Sequence, residues 1–275
     1  MYKHVFGPVP SRRLGVSLGV DLVVSKSCNL NCIFCECGAT KKIQLKRQRF
    51  KDMNEILDEI QSVLKVIKPD YITFSGSGEP TLSLDLGNIS KAIKENLKYK
   101  GKICLITNSL LLADKQVIKE LEYIDLIIPT LNTLRQDIFE KIVRPDYRTS
   151  VDEIRKGFIN LNNSNYKGKI WIEIFILENI NDNKENFIEI ANFLNKIDIK
   201  DYFKKIGSIE EITGKNFKGE DFSYLGIKTI RKFYSSMEEE EYIFDVKATT
   251  NEFNELKEFY NKLTNENLAL YIYIF

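Results

Sequence analysis

Residues 27 to 38, SCNLNCIFCECG, hold four of the five cysteines in the chain. Cys28, Cys32 and Cys35 are spaced C-x3-C-x2-C, Cys37 follows two residues later, and Cys104 stands apart. Three thiolates this close, on a loop free to wrap, suit an iron-sulfur cluster. A structural zinc site asks for four ligands, usually as two separated pairs, and His4 is the one histidine available to complete a set. Three protein ligands on a four-iron cluster leave one iron open to a further ligand. Clustered cysteines in a reducing compartment point to metal binding or catalysis rather than disulfides, and the odd total agrees.

A loop of this kind needs a frame. GVDLVVS (19 to 25) reads as a strand running into the cysteines, after a loop-like start. KKIQLKRQRF (41 to 50) alternates like an exposed hairpin strand, and MNEILDEIQSVLKVI (53 to 67) spaces its apolar residues at three and four, as a helix packed on one face does. Short apolar strands then alternate with helical patterns: YITFS (71 to 75), KICLIT (102 to 107), DLIIP (125 to 129) and KIWIEIFI (169 to 176), with helices between them. Repeated β-α units build a parallel sheet whose ligands collect at the C-terminal strand ends. The expectation is a core domain over residues 1–198 and, over 199–275, a C-terminal extension that is either a small α/β appendage or the closing edge of a barrel.

Composition narrows the function classes. With 275 residues, 43% of them hydrophobic, the chain can bury a large α/β core. Forty basic against 39 acidic residues leave no global field toward nucleic acid or an anionic membrane. The N-terminus lacks the apolar run of a signal peptide and no stretch is long enough to span a membrane, so a cytoplasmic protein with no membrane partner is expected. A local basic run does exist: Lys41, Lys42, Lys46, Arg47, Arg49 and Lys51, with no acid between Glu36 and Asp52. It reads either as a solvated hairpin face or as a phosphate-binding strand beside the cysteines, with Lys46, Arg47 and Arg49 the candidate contacts to RNA or to a phosphate-bearing small molecule.

The three cysteines and the motifs behind them resemble the radical SAM superfamily over roughly residues 7 to 180. GPVPSRRLGVSLGVDLV followed by KSCNLNCIFCECG is similar to the radical SAM iron-sulfur oxidoreductases related to the wyosine-forming tRNA-modifying enzymes. The resemblance implies an α/β fold, a partial (β/α)6 TIM-type barrel with a small C-terminal α/β appendage. It also implies a 4Fe-4S cluster on Cys28, Cys32 and Cys35, and S-adenosylmethionine (SAM) bound at the open iron and cleaved to a 5'-deoxyadenosyl radical that takes hydrogen from the substrate. A flavodoxin- or ferredoxin-type electron donor would be the partner.

Carried onto this chain, the family pattern gives the Phe34 backbone a contact with adenine. It sets Ser77, Gly78 and Glu79 of SGSGEP against the methionine ammonium, Asn108 and Ser109 of the TNS strand end against the ribose, and Thr130, Asn132 and Arg144 near the methionine carboxylate. Glycines let backbone approach closely, and an arginine fork matches a carboxylate. Each also has a plain structural reading, as a turn, a cap or a loop anchor. Arg12 and Arg13 of SRRLG are candidates for an anion-binding or cluster-side role, Cys37 for substrate chemistry, and Cys104 for the core. Wyosine-forming enzymes carry a second cluster on further N-terminal cysteines, whereas only Cys37 and Cys104 remain here, so one cluster is expected. The alternative from another class is a non-catalytic iron-sulfur or zinc-binding module acting on RNA through its basic hairpin.

Overall fold

Alternation between two burial environments decides how the strands lie. In the computed structural model, which describes residues 2–11, 13–177, 179–197 and 271–274, β2 (Gly15–Val20), β3 (Tyr71–Phe74), β4 (Lys102–Thr107), β5 (Leu126–Pro129) and β6 (Lys169–Ile170) run parallel in that order. β1 (Val5–Ser11) pairs antiparallel on the outer edge of β2. Leu18, Val20, Ile72, Phe74, Ile103, Leu105 and Ile127 pack under the helices as part of the main core. Their alternates Cys104, Leu126 and Ile128 form a second cluster with Leu14, Tyr71, Ile106 and Trp171 on the opposite face. Cys104 is fully buried there, so it is the small core residue expected of it.

The strand read as KIWIEIFI breaks into β6 and β7 (Glu173–Ile176). Trp171 N–H still donates to Ile127 O and Leu131 N–H to Glu173 O, so the chain continues alongside β5 while it bends into a second sheet. There β7 pairs in parallel with β8 (Tyr271–Ile274). Six parallel strand positions result, a partial barrel. Of the expected C-terminal extension only β8 lies within the described residues, where it continues the barrel edge; the rest of 199–275 lies outside them.

The helices follow their sequence signals. α1 (Met53–Leu64) buries Ile56, Ile60 and Val63, and the Asp52 carboxylate caps it by accepting from Asn54 and Glu55 N–H. α2 (Leu86–Glu95), α3 (Lys115–Lys119), α5 (Val151–Asn162) and α6 (Lys184–Lys196) follow β3, β4, the short helix α4 (Gln136–Val143) and β7 respectively. Among the described residues no helix is long and apolar enough to cross a membrane.

Two expectations are corrected. The N-terminal start is a β1–β2 hairpin rather than a loop; Pro8 and Pro10 hid it, and an edge strand tolerates prolines because it has a side with no ladder to complete. Residues 41 to 50 form no hairpin strand. They are irregular apart from one bridge, Gln48 to Ser83, because part of their charge turns inward.

Candidate active site

The cysteine loop leaves β2 and is clamped on two sides. On one side lies the turn after β3: Lys26 N–H donates to Ser77 O at 2.8 Å, and Glu79 N–H to Ser27 O at 2.9 Å. Gly78 makes this approach possible, since a Cβ there would stand 2.1 Å from Ser27 O. The Asp21 carboxylate holds Ser77 by accepting from its N–H and its hydroxyl, and Lys51 Nζ donates to Asp21 O. On the other side, Asn31 N–H donates to Val143 O and Ile33 N–H to Ile142 O, both at 2.9 Å. These are the end carbonyls of α4, which have no partner inside their own helix.

Cys28 and Cys32 are half-buried in this clamp and Cys35 is exposed. Burial, followed by the Glu79 charge, pushes the Cys28 thiol up to about 12, and burial with Cys28 and Cys35 pushes Cys32 higher still. Without a metal these are neutral thiols, and a metal that binds them displaces protons. Among the described residues no three His, Cys, Asp or Glu side chains are gathered as a ready-made metal site.

Donor chemistry tests what the thiols suit. Two buried donors in the same loop, Lys26 Nζ and Asn29 Nδ2, have no hydrogen-bond partner among the described residues. Unmatched donors within a loop of three thiols fit a group rich in sulfur and negative charge, as a 4Fe-4S cluster is. His4 does not complete a zinc set with them, because it lies just before β1, its Nε2 3.2 Å from Glu55 Oε2 of α1. Cys37 stays beside Cys35, with which its side chain shares a hydrogen bond, while its Sγ–H reaches Gly76 O at 3.5 Å, and burial raises its thiol.

A small pocket opens beside the loop. Cys32, Phe34, Asn108, Thr130 and Asn132 line it together with apolar residues that include Leu30 and Phe139. Five sequence candidates from three separate segments therefore meet at one place. Phe34 stacks on Phe175 of β7, with centroids 4.4 Å apart and planes at 19°.

Other candidates have internal partners. Glu79 is fully buried: Oε1 accepts from Thr81 N–H, Thr81 Oγ1 and Thr107 Oγ1, and Oε2 from Asn108 N–H at 2.8 Å. Burial pushes its carboxyl up against the pull of those donors. Its carboxylate thus ties the β3 turn to the end of β4 and is turned away from the expected ammonium. Ser109, also fully buried, donates to Thr130 O at 2.8 Å and so joins β4 to β5 rather than facing a ribose. Asn108 sends its amide to the cysteine loop, with Nδ2 2.6 Å from Asn29 Oδ1 and 3.6 Å from Cys28 Sγ. Asn132 Oδ1 accepts from Phe175 N–H, and Asn132 O from the amides of Asn181 and Asn186. Arg144 is exposed at the end of α4 with φ +42°, and the acidic residues on either side of it in sequence bind other arginines, Asp137 with Arg135 and Asp146 with Arg148.

The substrate-side candidates divide. Arg12 lies outside the described residues. Arg13 NH1 reaches Glu173 Oε1 at 3.4 Å, and Glu173 Oε2 in turn accepts from Thr130 Oγ1 of the pocket at 3.4 Å, so Arg13 crosses to the fifth parallel strand position. Arg47 is the clearest correction. It is bound to both carboxylate oxygens of Glu120 and donates to Thr81 O and Ser83 O, with its side chain 9% exposed, so it cannot reach a substrate phosphate. Arg49 is surface-exposed and pairs with Asp85. Lys41, Lys42 and Lys46 remain on the surface.

Sequence reasoning missed Phe175, Glu173, Asn29 and Asn181. One signal was present for Glu173: a carboxylate inside the apolar strand WIEIFI marks a side chain turned to the face away from the helices. Burial raises that carboxyl, while Arg13 opposes the rise.

A family model described as the Radical SAM superfamily matches residues 22–194. The chain is 39% identical over 196 residues to the "GTPase Obg" of Brachyspira hyodysenteriae, covering 71% of this chain and 28% of that protein. It is 33% identical over 195 residues to the UPF0026 protein MJ1312 of Methanocaldococcus jannaschii, covering 70% of this chain and 60% of the relative. The chain thus spans less than two thirds of the length of these curated relatives. Among solved structures, native anSMEcpe with bound AdoMet and Cp18Cys peptide superposes with a TM-score of 0.56 at 18% identity, covering 93% of this chain and 62% of that one, a likeness of fold.

Proposed function

Because the chain belongs to the radical SAM superfamily, we propose that it is a radical SAM enzyme with one 4Fe-4S cluster held by Cys28, Cys32 and Cys35. When bound and reduced, such a cluster supplies the electron that cleaves SAM to methionine and a 5'-deoxyadenosyl radical, which abstracts hydrogen from the substrate. The chain's own residues set the stage. The turn at 75–80 and the end of α4 hold the thiol loop in register with the pocket. Cys32, Phe34, Asn108, Thr130 and Asn132 shape a cleft beside it, and the Phe34–Phe175 stack gives an adenine a flat apolar wall.

The observation that carries this reading is the pair of unmatched buried donors, Lys26 Nζ and Asn29 Nδ2, in a loop of three thiols that borders a pocket. A flavodoxin- or ferredoxin-type protein is the proposed electron donor. The proposed substrate is tRNA or another phosphate-bearing molecule, with exposed Lys41, Lys42 and Lys46 as the contacts left to the basic run.

Anaerobic reconstitution tests it. About four irons per chain and release of 5'-deoxyadenosine with dithionite and SAM are expected, with both lost in Cys32→Ala. Tight zinc with no SAM turnover would instead establish a non-catalytic metal module.

A further inference from the structure

Two glutamates are buried near the strand ends, and they are partnered differently. Glu79 accepts four bonds of 2.6 to 3.0 Å and is spent on holding β3 to β4. Glu173 is 5% exposed, and among the described residues its carboxylate has two partners, Arg13 NH1 at Oε1 and the Thr130 hydroxyl at Oε2, each at 3.4 Å. A buried charge with so few donors is costly, and carboxylates perturbed in this way concentrate at functional sites.

The position of Glu173 says what it acts on. Side chains two apart on a strand share a face, so Glu173 points the same way as Phe175, which stacks on Phe34 of the cysteine loop, while the alternates Ile174 and Ile176 pack into the main core. Thr130 stands directly opposite Glu173 across a parallel bridge and lines the pocket. Its N–H donates to Thr107 O and its carbonyl accepts from Ser109 Oγ, so the hydroxyl is the polar group it has left for a pocket ligand. That hydroxyl has a single proton and two lone pairs. Burial pushes the Glu173 carboxyl up and Arg13 opposes the rise; the arginine cannot deprotonate, and neutralising Glu173 would take away its buried counter-charge. An ionised carboxylate only accepts, so the Thr130 proton points at Glu173 and what remains of the oxygen is an acceptor. An acceptor repels a carboxylate and suits an N–H or O–H.

We infer that Glu173, paired with Arg13, is a positioning residue for the ligand of this pocket: it fixes the Thr130 hydroxyl so that Thr130 accepts from an N–H or O–H of SAM instead of meeting the methionine carboxylate. The inference rests on the SAM reading of the preceding section and adds to it a residue that does not itself line the pocket. It also reverses the polarity expected of Thr130, which follows from its neighbour across the bridge and not from its own residue type.

Calorimetry of SAM binding to the reconstituted full chain tests this. Thr130→Val and Glu173→Gln should each weaken SAM by about threefold to tenfold, the loss of one hydrogen bond, at the parent's iron content, and Thr130→Ser should restore the parent's affinity. Because Glu173 acts through Thr130, the double variant should lose no more than Thr130→Val alone. Losses that multiply in the double variant overturn the inference, as does parental affinity in either single variant. Glu173→Asp keeps a charge beside Arg13 and draws the carboxylate back from Thr130 by a methylene; it should lose the same factor, and it carries the same cycle where the Gln variant fails to load. A parent that assembles no cluster or binds no SAM overturns the proposed function itself, which separates the two failures.

Discussion

Replacing Gly78 with alanine attacks the contact that seats the cysteine loop. The added carbon would stand 2.1 Å from Ser27 O and 2.8 Å from both Ser27 C and Val23 Cγ2, where real Cβ atoms essentially never approach closer than 3.0 Å. Backbone blocks it on one side, so the loop and the turn must separate by roughly 1 Å, an overpacking cost of about 1 to 3 kcal/mol. Separation also breaks the Glu79 N–H to Ser27 O and Lys26 N–H to Ser77 O bonds, at about 0.5 to 1.5 kcal/mol each. The sum is about 2 to 6 kcal/mol, a large part of a typical domain's stability. Trp171, the single tryptophan, packs against the second core cluster and reports urea unfolding of the metal-free chain by fluorescence. Gly78→Ala should lower the midpoint at unchanged slope and lower the iron retained after reconstitution. Gly38→Ala is the control: its carbon would meet only the Lys26 Nζ tip at 3.1 Å, and its φ of +77° sets a cost of about 1 kcal/mol. A Gly78→Ala protein with the parent's midpoint and iron content would refute the close approach.

Other perturbations probe separate parts of the structure. Arg47→Met leaves Glu120 and two backbone carbonyls without their donor and should destabilise by about 3 kcal/mol in the same unfolding assay, while any salt dependence of RNA binding keeps the parent slope because Arg47 faces inward. Phe175→Ala removes the ring beneath Phe34, a stack worth about 0.5 to 1.5 kcal/mol beyond its burial, and should weaken SAM severalfold by calorimetry at unchanged iron. Desolvation pushes the Glu59 carboxyl up, but N–H donors from Lys3, His4 and Val5 outweigh it and hold the group below its ordinary 4.5. That tether of β1 to α1 is therefore complete above pH 4.5 and lost as pH falls through the depressed value. Amide NMR shifts of those three residues should titrate together below 4.5 and stop doing so in Glu59→Gln.

What the sequence determined alone is what short-range chemistry encodes. Cysteine spacing marks a metal loop whatever surrounds it, and the β-α alternation, with apolar residues at two-residue and three-to-four-residue periods, announces a parallel sheet because those periods are properties of strand and helix geometry. The strands at 71, 102 and 126 and the helix beginning at 53 were legible for that reason. Tertiary structure decided where the polar side chains went. Arg47 reads as a surface cation until Glu120, 73 residues away, buries it. Glu79 reads as a ligand-facing carboxylate until Thr81, Thr107 and Asn108 turn it inward, and Asn108 reads as a ribose contact until Asn29 takes its amide. A charged or amide group satisfies itself with whichever partner lies within about 3 Å, and for a loop that partner comes from distant segments that only folding brings near.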